Sequence, residues 1–335
     1  MIQRNEPVLI TSATGKTGYE TTLQLLNDGY AVRIFVRSRN RRALELEKRG
    51  AEVAIGAFSQ YESLAKALKG VRRVYYCYPI MPGMPQNVAL FIRAAREAQL
   101  EAVVFMGQWL AEFADQESRL TNDIKTAYQL LEDSGLPVIY FNPGYFAEVV
   151  IPFLEFIIQL GIMPSPYGAG KCPWVSSRDL GAAAAALLRN PAPYVGLKIH
   201  PTGPESVSAE QMAAIFSRIR GRKVRLLPLP DQLFLKAGFM TGEEFGYDAF
   251  SIVQANCYNR QFRLNRFDVG GPTTVVKELT GREPEDFETI ARRFIEQSPY
   301  RQRSFSRWLS AVTKFMTMPF TALPTKRQLA ALNQP

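Results

Sequence analysis

The residues best placed to do chemistry come early. Thr11-Ser12-Ala13-Thr14-Gly15-Lys16-Thr17-Gly18 follows the short apolar run PVLITSA and opens a helical pattern. A helix N-terminus attracts an anion through its free backbone N–H groups, and a diphosphate approaches them closely only where no Cβ crowds the turn. Gly15 permits that approach, and Gly18 lets the helix lie against the strand. A bare Gly-x-x-Gly is common in ordinary turns; its place after the first strand of a βαβ unit gives it weight. A nucleoside-triphosphate P-loop is excluded, because position 10, five residues before Gly15, is Ile.

The second strand should end at the ribose of a bound dinucleotide. An acidic residue there would accept bonds from a 2′-hydroxyl. Here the position is Arg37, 19 residues after Gly18, within VRSRNRR. A guanidinium pairs instead with a 2′-phosphate, worth about 1.5–3 kcal/mol for a charge-assisted bond. The expected cofactor is therefore NADP(H). Arg41 and Arg42 read as a solvated helix face.

The elements that must position these groups alternate over the first 150 residues. Strand-like runs at PVLITSA, AVRIFVRS, AEVAIGAF, VRRVYYCYPI, EAVVFMGQ and PVIYFNPGYF are separated by helical segments closed by Gly or Asn-Asp-Gly. Such spacing demands crossover connections and predicts an α/β, doubly wound parallel sheet, a Rossmann fold, over residues 1–150. A smaller, mainly helical lobe is expected over 151–298, partly interleaved with the sheet. Its helices are read at Ile151 to Leu160, Arg178 to Leu188, Ser208 to Gly221 (capped by Ser208, with Gln211 at its third position), Phe250 to Phe262 and Glu285 to Phe294, with a strand from Gly196 to His200.

Composition narrows the chemistry. The chain has 335 residues, 47% of them apolar, with a single histidine and three cysteines far apart. A multi-histidine metal centre cannot be built, no disulfide framework is indicated, and His200 reads as structural. No metal site is expected. The formal charge is +9, but six positive charges lie after Glu296, where no acid follows. The body is thus only about +3, which argues against nucleic acid. The MIQRNEPV start carries no leader pattern, no apolar run spans a membrane, and the cysteine usage fits a cytoplasmic monomer or homodimer. The basic tail, 299–335, places Trp308, Leu309, Val312, Phe315 and Met316 on one helical stripe. It is expected to pack on its own domain or a second subunit, or to lie on an anionic membrane surface.

In ITSATGKTG, VRSRNR, GAFSQYESLAKALKGV, SGLPVIYFNPGYFAE, GAGKCPWVSSRDLGAAAAALL, TGPESVSAEQMAAIFSRIRGR and VVKELTGREPEDFETIARRF, the chain resembles the NmrA-like branch of the atypical short-chain dehydrogenases/reductases. The resemblance spans roughly residues 7 to 295. It implies that the loop through Thr11, Ser12, Thr14, Gly15, Lys16, Thr17 and Gly18 holds the diphosphate and that Arg37 holds the adenosine phosphate. It further implies cofactor contacts from Ala57 with Phe58, from Tyr78 with Pro79, and from Asn142 and Pro143 beside the nicotinamide. Ser12 stands where a glycine is usual, Ala57-Phe58 where an acidic pair is common, and Asn142 where an arginine is frequent.

A standard short-chain dehydrogenase uses Ser, Tyr and Lys, the last two spaced Tyr-x-x-x-Lys. Lys125 sits at the lysine's place, but four residues earlier stands Thr121, and Met106-Gly107-Gln108 replaces the serine. Lys125 would bond the nicotinamide ribose, or donate a proton if burial disfavoured its charge; a surface-helix lysine is the plain alternative. Tyr145 is the other candidate catalytic group, and Tyr78, Gln108 and Trp109 fall near the same place. Two functions follow as expectations. One is an NADPH-dependent oxidoreductase acting on an apolar or aromatic acceptor such as a quinone or aromatic ketone, before a rim of Tyr75, Tyr76, Tyr78, Tyr140 and Tyr145, with strand core as the plain alternative for Tyr75 and Tyr76. The other is an NADP(H)-binding redox-sensing regulator without turnover.

Overall fold

A computed structural model describes residues 6–114 and 118–334, so part of the start read as leaderless lies outside the described residues. Along the chain come β1 (Val8–Thr11), α1 (Lys16–Asn27), β2 (Val32–Val36), α2 (Arg41–Lys48), β3 (Glu52–Ile55), α3 (Tyr61–Leu68), β4 (Arg73–Tyr76) and α4 (Met84–Glu97). There follow β5 (Ala102–Met106), the short α5 (Leu110–Phe113), α6 (Arg119–Ser134) and β6 (Val138–Phe141). The sheet runs β3-β2-β1-β4-β5-β6 and ends on a seventh strand, Lys198–Ile199; every pairing is parallel. The strand order reverses between β1 and β4, which opens a crevice beyond their C-terminal ends.

Alternation along each strand divides the core. Val8, Ile10 and Tyr75 face a layer built with α1, α2 and the later helix Ser177–Arg189, whereas Leu9, Val74 and Tyr76 face α3, α4 and α6. Tyr75, Tyr76 and Tyr140, expected on a substrate rim, are therefore strand core, at most 4% exposed. Helix Ser177–Arg189 lies close on α1 because it meets it through small residues. Ala183, Ala184 and Ala185 are fully buried, and a Cβ on Gly181 would collide with Glu20.

The lobe forms its own aromatic core from residues beyond β6. Two differences from the sequence reading stand out. The helix expected at 151–160 is a 3₁₀ turn, Ala147–Phe153, followed by a π-helical turn, Phe156–Leu160. Pro152 lies inside it, has no N–H to donate, and so interrupts regular i→i−4 bonding. A helix at Asp231–Thr241, not foreseen, packs Leu233, Phe234, Ala237 and Met240 against the lobe core. The expected cap on Ala209–Arg220 is present as a reciprocal Ser208–Gln211 capping box.

The tail helix, Phe305–Thr317, seats on this lobe, but not with the predicted stripe inward. Ala311 is fully buried and Phe315 packs against Phe156. Lys314 Nζ lies 3.1 Å from Glu155 Oε2 and 3.1 Å from Glu244 Oε2. Trp308, Leu309 and Met316 face outward. Glu155 is nearly buried, and pairing that charge sets the helix's rotation. The last turns return to α6 and the lobe helix Ala249–Arg263, where Asn333 Oδ1 accepts from Arg119 N–H at 3.0 Å and from Gln254 Nε2 at 3.3 Å. No helix among the described residues is long and apolar enough to cross a membrane.

Gly107, just past β5, has a steric reason. A Cβ there would collide with Tyr128 Oη from α6 and with Asn142 Oδ1 from the end of β6. Gly107→Ala should lower unfolding stability by about 1–3 kcal/mol through overpacking, measured by denaturant unfolding. Adding Tyr128→Phe, which removes one of the two oxygens, should recover part of that loss.

Candidate functional site

The phosphate loop is organised around one carbonyl. Gly15 N–H donates to Ser12 O at 2.8 Å, and a Cβ on Gly18 would stand 2.6 Å from the same oxygen. Ser12 adopts the left-handed region (φ 48°), where a glycine costs less. Its hydroxyl donates to Cys77 O at 2.7 Å, anchoring the turn to the end of β4. Thr11 Oγ1 accepts from Cys77 N–H at 2.8 Å and lies between the Tyr75 and Cys77 carbonyls. Thr17 Oγ1 takes the Tyr75 phenol at 2.8 Å. Thr11 is fully buried and Thr17 nearly so, and their side chains are engaged with Cys77 and Tyr75. They hold β1 and β4 in register.

Gly15 caps α1 without a side-chain bond, so the first-turn N–H groups are left for a ligand. Thr14 is half-buried, and Gly15 and Lys16 are exposed. Lys16 Nζ reaches the lobe's Tyr247 Oη at 3.3 Å. Arg42 is exposed on α2, as the sequence reading has it, and also reaches the phosphate turn. Its Nη1 donates to Thr14 O at 3.0 Å, and its guanidinium lies over the Tyr19 ring. Arg37 is exposed at the end of β2 and has no ion-pair partner among the described residues, whereas Arg39 pairs with Glu47 at 2.9 Å. An unhindered amide turn beside a free guanidinium suits a phosphorylated dinucleotide.

Past β3, half-buried Ala57 and Phe58 form the neighbouring wall, with the Phe58 ring 5.1 Å from that of Tyr78 and 5.7 Å from that of Phe35. Tyr78 is fixed by donating to Pro82 O at 3.1 Å and accepting from Asn87 Nδ2 at 2.9 Å. Pro79 beside it is half-buried and Pro143 buried.

At the reacting end, Lys125 is half-buried on α6 and makes no hydrogen bond among the described residues. Tyr145 stacks on Phe267 at 4.6 Å and lies 5.4 Å from Trp174, in a nest of rings that also holds Tyr258. Burial pushes its phenol well above the ordinary tyrosine range. Trp109 is buried and donates Nε1–H to Arg266 O at 2.9 Å, tying β5 to the lobe.

Asn142, expected beside the nicotinamide, is fully buried just past β6, and its side chain is bonded within the protein. Its Oδ1 accepts from Tyr128 at 2.5 Å, and its Nδ2 donates to Glu112 Oε1 at 2.7 Å. The same Glu112 oxygen lies 3.1 Å from His200 Nε2. The lone histidine thus ends a polar chain that runs from buried Asn142 out to exposed Glu112, edge-on to Trp109.

One group was missed entirely. Tyr258, from helix Ala249–Arg263, donates its phenol to Gln108 Oε1 and lies beside the Thr121 hydroxyl. Gln108 Nε2 and Thr121 Oγ1 are buried without hydrogen-bond partners. No local pattern could have flagged this meeting, since 150 residues separate Tyr258 from Gln108.

Comparison with known proteins agrees with this architecture. The NmrA-like family profile matches residues 4–269. The chain is similar to an NAD(P)H azoreductase of Xenophilus azovorans, with 27% identity over 286 residues, 85% of this chain and 96% of the relative. Its fold is shared with an Escherichia coli NADPH-dependent quinone oxidoreductase solved with NADPH (TM-score 0.72, 19% identity, 86% of this chain and 99% of the other). It is shared equally with NmrA, a negative transcriptional regulator solved with NADP (TM-score 0.72, 16% identity, 90% and 100% covered). With its phosphate loop, parallel sheet and matched length taken together, the chain belongs to the NmrA-like family.

Proposed function

We propose that the protein is an NADPH-dependent oxidoreductase that passes hydride to a flat apolar or aromatic acceptor, such as a quinone or an aromatic ketone. The observation that carries this reading is the unpaired Arg37 guanidinium at the end of β2, beside a phosphate turn whose Gly15 and Gly18 leave no Cβ in the way. The Gly15 to Gly18 turn would hold the diphosphate, Arg37 the 2′-phosphate, and Phe58 with Tyr78 the apolar wall. Bound there, NADPH supplies the hydride; the chain supplies orientation and a dry, ring-lined site. Phe58, Tyr78 and Tyr145 offer the rings against which a planar acceptor packs, with buried Phe267 backing Tyr145. The relatives named as azoreductase and quinone oxidoreductase support this class of acceptor.

A second reading, an NADP(H)-sensing regulator, is favoured by one feature: Gly107 and Thr121 occupy the places of the standard serine and tyrosine. The two readings differ in turnover. NADPH consumption measured against a panel of quinones and aromatic ketones should show reduction of at least one; binding of NADPH with no oxidation by any acceptor would favour the regulator.

Cofactor choice tests the anchoring observation directly. Arg37→Glu should raise the NADPH dissociation constant at least tenfold by calorimetry, equivalent to about 1.4 kcal/mol, while leaving that of NADH nearly unchanged. Equal weakening of both would remove the 2′-phosphate assignment.

A further inference from the structure

The geometry points to Tyr258 as the proton donor of the substrate site, replacing from the lobe the phenol that Thr121 lacks on α6. This rests on the reductase reading above. The Tyr258 hydroxyl meets Gln108, the second residue past β5, and lies beside Thr121, the position from which a Tyr-x-x-x-Lys tyrosine would extend. Its half-buried ring lies 6.3 Å from that of Tyr145 and 6.1 Å from that of Phe267, in the cluster that flanks the crevice. Burial holds the phenol above the ordinary range, so it keeps its proton at neutral pH. Tyr128, the other phenol close to Gly107, is 6% exposed and bonded to Asn142, so it cannot meet an acceptor.

Gln108 completes the device. Its Nε2 is buried and unpartnered, and turning the amide presents that donor to the phenol oxygen. The phenolic proton is then free for an acceptor, and the resulting phenolate keeps a donor. For a ketone the balance is simple. The carbonyl carbon gains hydride from NADPH, the oxygen gains the Tyr258 proton, the product is the alcohol with NADP+, and the phenolate recovers a proton from water.

The test compares wild-type protein with Tyr258→Phe. General-acid help matters most for a ketone, whose reduction develops an alkoxide, and least for a quinone. The variant should lose at least a hundredfold in kcat with an aryl ketone and less than tenfold with a quinone, with NADPH affinity within twofold. Binding of 2-naphthol, followed by calorimetry without cofactor, should weaken at least threefold through the lost hydrogen bond. Equal losses on both acceptors, reduced NADPH affinity, or unchanged ketone turnover and naphthol binding would overturn the assignment alone. A wild-type protein inert toward every acceptor would overturn the reductase reading, and this proposal with it.

An independent observation carries a second inference: the structure assigns the outer face of the tail helix to an anionic lipid surface. Phe305 and Trp308 stack at 6.0 Å on the outside, with Leu309 and Met316 along the helix and Phe320, 85% exposed, just beyond. Arg301, Arg303 and Arg307 flank this face, and no acidic residue follows Glu296. Lys314, the one cation turned inward, is already paired with Glu155 and Glu244. A second copy would bring an identical acid-free segment against this one, whereas an anionic headgroup layer complements the charge while its acyl boundary takes the rings. Vesicle flotation should recover the full chain with phosphatidylglycerol vesicles at least tenfold better than with phosphatidylcholine. Phe305→Ser with Trp308→Ser should abolish recovery without changing thermal stability. Equal recovery on both lipids, or a dimer in light scattering that the same pair dissolves, would overturn it.

Discussion

The Ser12 carbonyl is the constraint on which the site depends. It receives the Gly15 N–H and lies against the bare α-carbon of Gly18, so one oxygen sets both the turn and the closeness of α1 to the sheet. Thr11 and Ser12 reach across to Cys77, which locks the ends of β1 and β4 at the point where strand order reverses. The hydroxyls of Thr11, Ser12 and Thr17 are paired within the protein, and the exposed amides of the first helical turn are left for an anion. Tyr75, which looked like a pocket residue, serves the same end by donating to Thr17.

The reacting end follows a different logic from that of a standard short-chain dehydrogenase. Tyr128 and Asn142 fill the volume beside Gly107, so no serine fits there. From buried Asn142 a polar chain continues outward through Glu112 to His200, and its inner links give the buried Tyr128 phenol and Asn142 amide their partners. The space above is closed by the lobe. Trp109 and Gln108, both just beyond β5, bond to Arg266 and Tyr258 respectively, so lobe and sheet meet at the substrate end of the crevice. The lobe thus closes one end of the crevice with side chains from a distant helix, while the glycine turn at the other end belongs to the sheet.

The tail shows how a buried charge can override hydrophobic periodicity. Its apolar stripe could have faced the lobe, but Glu155 is nearly buried and needs a cation, which Lys314 provides. Rotating the helix to make that pair leaves Trp308, Leu309 and Met316 in solvent. Asn333 then meets Gln254 and the start of α6, so the tail also braces the helix that carries Tyr258.

Local pattern was enough to determine the alternating strands and helices, the parallel sheet, the phosphate turn, the Ser208 capping box and the exposed Arg37, because each rests on neighbours in sequence. The same reading was silent where partners lie far along the chain. Exposed Arg42 also reaches Thr14 O, 28 residues away, and the Thr11 hydroxyl meets Cys77, 66 residues on. Pro152 bent an expected helix into 3₁₀ and π turns. Tyr258 had no signal at all. Backbone preference and hydrophobic period act over a few residues, so sequence alone determined the elements and the anion-binding turn; the pairing of buried polar groups acts through space, and only the tertiary structure decided which phenol, amide and cation would meet.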